Sequence, residues 1–160
     1  MNGFRSVVGE LWDALGLGAP AFAADDSIML ETETVAVRLS PGNGGRRMVL
    51  SAAIRPLADD AHERAVQVRQ VLQSNMRHLR VSPASVLVRG TDSGEAIVIQ
   101  RNIDYSYGGT GAVAEAIDRF CIHFSNVYRL LSGEEAGNGG HQNTRVDGGK
   151  SQDSEFIFRL

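Results

Sequence analysis

SIMLETETVAVRLSPGNGGRRMVLSAAI, residues 27–54, is the stretch whose reading decides the fold. Ile28, Leu30 and Thr32 alternate with Met29 and Glu31, Val35, Val37 and Leu39 alternate with Ala36 and Arg38, and Met48, Leu50, Ala52 and Ile54 resume the pattern. Successive side chains of an extended chain point to opposite faces, so a period of two marks strands with one buried face. The polar link Glu31-Thr32-Glu33-Thr34 suits a tight hairpin, and Pro41-Gly42-Asn43-Gly44-Gly45 is rich in residues that tolerate turn dihedrals. Three consecutive antiparallel strands are the simplest outcome.

Upstream the period is helical. Phe4, Val7, Val8, Leu11, Trp12 and Leu15 recur at three- and four-residue intervals, with Glu10 and Asp13 outside the stripe. Gly16-Leu17-Gly18-Ala19-Pro20 then predicts a stop near Leu15, since glycine takes the positive φ of a C-cap and proline cannot continue a helix. Downstream, Asp59 or Asp60 can cap a second helix, whose buried side is expected to carry Ala61, Ala65, Val68, Val71, Leu72, Met76 and Leu79. Ser82-Pro83 closes it, because proline disfavours helical geometry in the residue before it. Val86-Leu87-Val88 and Ala96-Ile97-Val98-Ile99, linked by Thr91-Asp92-Ser93-Gly94, make a second hairpin expected to be more buried than the first three strands. A third helix places Val113, Ile117, Phe120, Cys121, Phe124, Tyr128 and Leu131 on one side and stops at Gly133. The fold class is α+β, in the order α-β-β-β-α-β-β-α, with a five-stranded, mostly antiparallel sheet and three helices.

With 160 residues, 42% hydrophobic and 22% charged, the chain has the profile of one ordinary soluble domain with a tail. A net charge of -3 and a pI near 5.8 give no general attraction to polyphosphate, and the arginines are scattered, so no nucleic-acid partner is expected. A single cysteine allows no internal disulfide. The N-terminus does not read as a secretory signal and no run approaches a membrane span, so a cytoplasmic protein without membrane insertion is expected.

No stretch carries a convincing catalytic motif. His62, His78, His123 and His141 lie far apart, outside any recognisable ligand spacing, and suit surface or satisfied histidines. Cys121 falls on an apolar stripe, where a small buried thiol is the simpler role than an activated nucleophile. Gly108-Gly109-Thr110-Gly111 precedes a helix but lacks the lysine and spacing of a phosphate loop. Asp59-Asp60 reads as a cap, Glu134-Glu135 as solvated tail, and Tyr105 and Tyr107 as either exposed contacts or packing over the sheet. No enzyme activity, cofactor or metal is expected.

The order of elements resembles the small secretion chaperones of the Tir-chaperone (CesT-like) family, which serve effectors of the type III secretion system. The resemblance covers residues 4–132, with local echoes at Gly9-Glu10-Leu11-Trp12-Asp13-Ala14-Leu15-Gly16-Leu17, Val71-Leu72-Gln73-Ser74-Asn75-Met76 and Ile117-Asp118-Arg119-Phe120. It implies a non-catalytic homodimer that holds an extended, non-globular segment of an effector protein. The alternative is a domain of the same fold with a regulatory or sensory role and no effector client. Candidates for effector binding are Val8, Trp12, Leu15, Met29, Val35 and Val37, with Trp12 foremost for its large area and one polar handle. Candidates for the dimer interface are Val68, Leu72, Val86 and Val88; every one of these positions also fits an ordinary core role.

The domain is expected to span residues 1–132. Residues 133–155 are dominated by Gly, Asn, Gln, Ser and charge, and are expected to form a flexible polar tail. Phe156-Ile157-Phe158-Arg159-Leu160 breaks that composition with a short alternating apolar run, suited either to a disordered end or to pairing with a sheet edge or apolar groove.

Overall fold

The computed structural model describes residues 3–78, 83–91, 94–106 and 108–132. Its elements are α1 (Phe4–Leu15), β1 (Ile28–Glu31), β2 (Ala36–Pro41), β3 (Arg47–Pro56), α2 (Ala61–His78), β4 (Ala84–Thr91), β5 (Gly94–Asp104) and α3 (Gly109–Ser132). The five strands pair antiparallel throughout in the order β1-β2-β3-β5-β4, giving the α+β architecture that the periodicity implies.

Register turns the period of two into a core. Ile28 faces Leu39 and Leu39 faces Leu50, while Ala52 faces Ile99 and Ile99 faces Val86, so apolar rows run across the strands on one face. Phe4, Val8 and Leu11 of α1, Val71 of α2 and Val113, Phe120 and Val127 of α3 close over that face in the same cluster. Each fully buried side chain of this size contributes roughly 1.5 to 3 kcal/mol, so this seam dominates the favourable energetics. The rows hold one cation: Arg101, opposite Leu50, sends Nη1 3.4 Å to the carbonyl of Ala116, and burial followed by the nearby Arg119 pulls its pKa below the usual arginine value. A bulge between Ala53 and Arg55 shifts the β3 register, and Arg55 donates to Gln70 of α2 at 3.0 Å.

The helix ends follow their sequence signals. Gly16 adopts φ 67°, and the N–H groups of Gly16 and Leu17 return to the carbonyls of Asp13 and Trp12, which satisfies two otherwise orphaned acceptors. Asp60 caps α2, its Oδ1 accepting from the N–H groups of His62 and Glu63 at 3.0 and 2.9 Å. Tyr105 packs rather than projects: it is buried and its hydroxyl donates to the carbonyl of Gly45 at 2.8 Å.

Three expectations change. The side of α2 assigned to the core is largely solvent-facing: Ala61, Ala65, Leu72 and Met76 are exposed, and Val71 and Ser74 are the buried contacts. The helix is oriented by polar bonds that a hydrophobic stripe does not register, with Gln67 accepting from the Ala58 N–H and Asn75 bonding both backbone groups of Val86. On α3, Tyr128 stands exposed and Val127 takes the buried position. The strand β4 is less buried than expected because it is an edge, with Leu87 and Val88 half-buried, whereas Ala96, Ile97, Val98 and Ile99 of β5 are all buried. Leu79, Ser82, Asp92, Ser93, Tyr107 and the whole of residues 133–160 lie outside the described residues.

Two stability predictions arise. Asn75→Ala leaves both Val86 backbone groups without their side-chain partner and is expected to lower urea stability by about 1 to 3 kcal/mol, against less than about 0.5 kcal/mol for the exposed Gln73→Ala. Asp25 accepts from the hydroxyl and N–H of Ser27 and pairs with Arg38, which holds its carboxyl below the ordinary value of 3.8. A depressed carboxyl stabilises the fold above the unfolded-state pKa and loses that contribution as pH falls through the folded one. The stability gap between the parent chain and Asp25→Asn is therefore expected to hold from neutral pH down to about 4 and to close below it in acid titrations of unfolding.

Candidate binding surface

Two exposed leucines lie where the end of α1 meets β1 and α3. The glycine cap that stops α1 carries the chain past Leu15 and Leu17 with both side chains 48% exposed. With Leu11, Leu30 and Ile117 they line a groove of about 310 Å³, whose rim carries Glu31, Glu33 and Asp118.

This groove runs along an open sheet edge. The Thr32 N–H donates to the Val35 carbonyl at 3.2 Å and closes the β1–β2 hairpin. Bonded and non-bonded pairs alternate in an antiparallel ladder, so Leu30 with Val37 and Ile28 with Leu39 exchange the backbone bonds. The N–H and C=O groups of Met29 and Glu31 then point away from β2, and among the described residues no loop or cap bond reaches them. The opposite edge differs: the Asn75 side chain accepts from the Val86 N–H at 2.8 Å and donates to its carbonyl at 2.6 Å, imitating a neighbouring strand.

Other surfaces also carry apolar groups, among them Ile122 of α3, 64% exposed, and a recess formed by Ile54, Phe124 and Tyr128. On the face of the sheet away from the helices, Met29, 51% exposed, borders a recess of about 460 Å³ between Arg38 and Arg89, with Ala53 and Val98 in its lining. Along α2, Val66, Leu72 and Met76 are exposed, Met76 to 75%.

The sequence candidates divide between these surfaces and the core. Leu15 and Met29 are exposed, at the groove and the recess, and Val35 is half-buried at the recess. Val8, Trp12 and Val37 are core residues, because α1 turns that flank onto the sheet and Val37 points to the helical face; Trp12 still borders a shallow recess with Ile28 and Met29. Of the dimer candidates, Leu72 is exposed, Val68 and Val88 are half-buried, and Val86 is buried. Leu17, Val66 and Met76 were not singled out as contacts. For Leu17 the available signal was a leucine between two glycines, beyond the helix stop.

Two groups with chemical capacity, Glu10 and Cys121, are engaged structurally. Glu10 of α1 accepts from the Thr110 hydroxyl at 3.1 Å and so places a carboxylate at the α3 N-terminus, where an external anion would otherwise be favoured. Cys121 is half-buried, and burial pushes its thiol pKa up, away from the reactive thiolate. Among the described residues no group of three or more His, Cys, Asp or Glu could hold a metal ion, and no helix is long and apolar enough to cross a membrane. His141 lies outside the described residues.

No protein-family model matches the chain, and no curated protein matches it. Solved structures do. The ExsC–ExsE complex matches with a TM-score of 0.59 at 15% identity, over 79% of this chain and 92% of that chain. The type III secretion chaperone SycH of Yersinia pestis, in complex with a stable fragment of YscM2, matches with a TM-score of 0.53 at 14% identity, over 77% and 98%. YbjN, a putative transcription regulator from E. coli, matches with a TM-score of 0.52 at 11% identity, over 84% and 94%. The chain shares the fold of type III secretion chaperones.

Proposed function

We propose that the chain is a type III secretion chaperone of the Tir-chaperone family, a cytoplasmic, non-enzymatic homodimer that binds an extended segment of an effector and keeps it competent for secretion. The observation that carries this reading is an apolar groove beside a strand edge that is unpaired among the described residues, on a fold shared with type III secretion chaperones. An incoming segment gains backbone bonds at Met29 and Glu31 and side-chain pockets at Leu15 and Leu17, the two elements of strand addition. Ordering such a segment costs about 2 to 5 kcal/mol or more. Each large apolar anchor returns roughly 1.5 to 3 kcal/mol, so two or three anchors suffice. Leu15 and Met29 serve as direct contacts and Val35 as a rim residue, while Val8, Trp12 and Val37 support the surface from behind.

The same reading assigns the dimer interface to α2. Leu72 and Met76 are exposed there on one flank of the helix, and Val68 lies half-buried beside Leu72. Asn75 blocks direct strand pairing at Val86, which favours helix packing over a continuous sheet between copies. Val86 and Val88 then back the interface. The domain occupies residues 1–132, with residues 133–160 as an appended segment.

A regulatory domain without an effector is the second reading, and the likeness to YbjN favours it. Co-expression with the product of a neighbouring open reading frame for a large secreted protein separates the two. Co-purification, with proteolytic protection of a client segment, is expected for a chaperone, and failure to retain any client supports the regulator. In the retained complex, Leu15→Asp combined with Met29→Asp is expected to weaken client affinity by about tenfold or more in calorimetry while leaving the fold intact. In light scattering the parent chain is expected at twice its chain mass and the Leu72→Asp, Met76→Asp variant at the single-chain mass. A monomeric parent across micromolar concentrations would remove the dimer.

A further inference from the structure

We propose that residues 156–160, Phe156-Ile157-Phe158-Arg159-Leu160, dock on the β1 edge of their own chain as a sixth strand, with Phe156, Phe158 and Leu160 in the groove between α1, β1 and α3. The edge supplies the backbone partners, since the N–H and C=O groups of Met29 and Glu31 face outward there, while the β4 edge is blocked at Val86 by Asn75. The side-chain pattern matches the two faces of β1. An extended segment directs Phe156, Phe158 and Leu160 to one side and Ile157 and Arg159 to the other. On β1, Leu30 points toward the helices, beside Leu15 and Leu17, and Met29 and Glu31 point away from them. The aromatic side therefore lies over the leucine groove, and Ile157 and Arg159 stand with Met29 and Glu31.

Charge selects this groove over the other apolar recess near α3. Glu31 borders the β1 groove and shares the face that carries Arg159, which gives that residue a counter-charge. The recess formed by Ile54, Phe124 and Tyr128 carries Arg129 and no carboxylate, so Arg159 has no partner there. The connection is long enough. Ser132 lies about 22 Å along α3 from Ile117, and residues 133–155 can span up to about 75 Å.

A tethered segment competes at an effective concentration in the millimolar range, so docking would hold the groove against weak partners and yield to a tight one. That consequence rests on the chaperone reading; the docking itself does not. The full-length chain, isotopically labelled, is compared by NMR with full-length Phe158→Asp and with Leu17→Glu, which changes an exposed groove residue. Docking is expected to shift the methyl signals of Leu15, Leu17 and Leu30 between parent and Phe158→Asp, and to speed exchange of the Met29 and Glu31 amides by about tenfold or more in that variant. Leu17→Glu is expected to release the same residues 156–160, with the core signals of Phe120 unchanged in both variants. Identical groove signals and exchange rates in parent and Phe158→Asp would overturn the proposal. So would groove shifts that vanish on dilution, which would assign the occupant to a second copy. With a retained client, Phe158→Asp is expected to bind at least about threefold more tightly. Persistent docking signals with no client bound by any variant would sink the chaperone reading and leave the docking standing.

Discussion

Among the described residues, helices cover this sheet on one face only, and that one-sided burial is the constraint on which the rest of the molecule depends. The rows Ile28-Leu39-Leu50 and Ala52-Ile99-Val86 need cover, and α1, α2 and α3 supply it together. Once they are committed to that face, none is left for the other face or for the β1 edge. Exposed Met29, the recess between Arg38 and Arg89, and the outward amides of Met29 and Glu31 are consequences of that allocation rather than separate features.

The two edges show how differently the same liability can be met. An unpaired strand edge is a template for another chain. At β4 the fold meets it from within, by setting the Asn75 amide against both backbone groups of Val86. At β1 no comparable side chain reaches the edge among the described residues; the glycine cap of α1 brings Leu15 and Leu17 alongside instead. An edge flanked by leucines and carboxylates suits a strand that is apolar on one side and carries a basic residue on the other.

Strands and helix ends were legible because each rests on a local rule. Alternation at Ile28, Leu30, Val37 and Leu39 specifies a face, Gly16 a positive φ, and Asp60 a cap, and all three appear in place. The orientation of α2 was not legible, because Leu72 and Met76 satisfy a hydrophobic stripe as well as any core residue does. What turns them outward is the set of bonds from Gln67, Gln70 and Asn75 to groups distant in sequence, and no period records such bonds. Which candidate residues are exposed was only partly legible for the same reason. Periodicity marks Val8, Trp12 and Leu15 alike as one stripe, and only the packing of α1 against β1 and α3 separates two buried residues from one that remains open.

Two groups with chemical capacity fit the same logic. The start of α3 offers backbone amides behind three glycines and a threonine, yet Glu10 occupies the favourable position through Thr110 and ties α1 to α3. Cys121 sits where burial pushes its thiol pKa up, beside Thr32 of the β1–β2 turn. Both groups therefore hold the walls of the leucine groove, Glu10 by joining the two helices that flank it and Cys121 by packing α3 against the turn that ends β1. Under the proposed reading, the leucines, the carboxylate rim and the outward backbone groups of β1 are what an extended polypeptide meets on that surface.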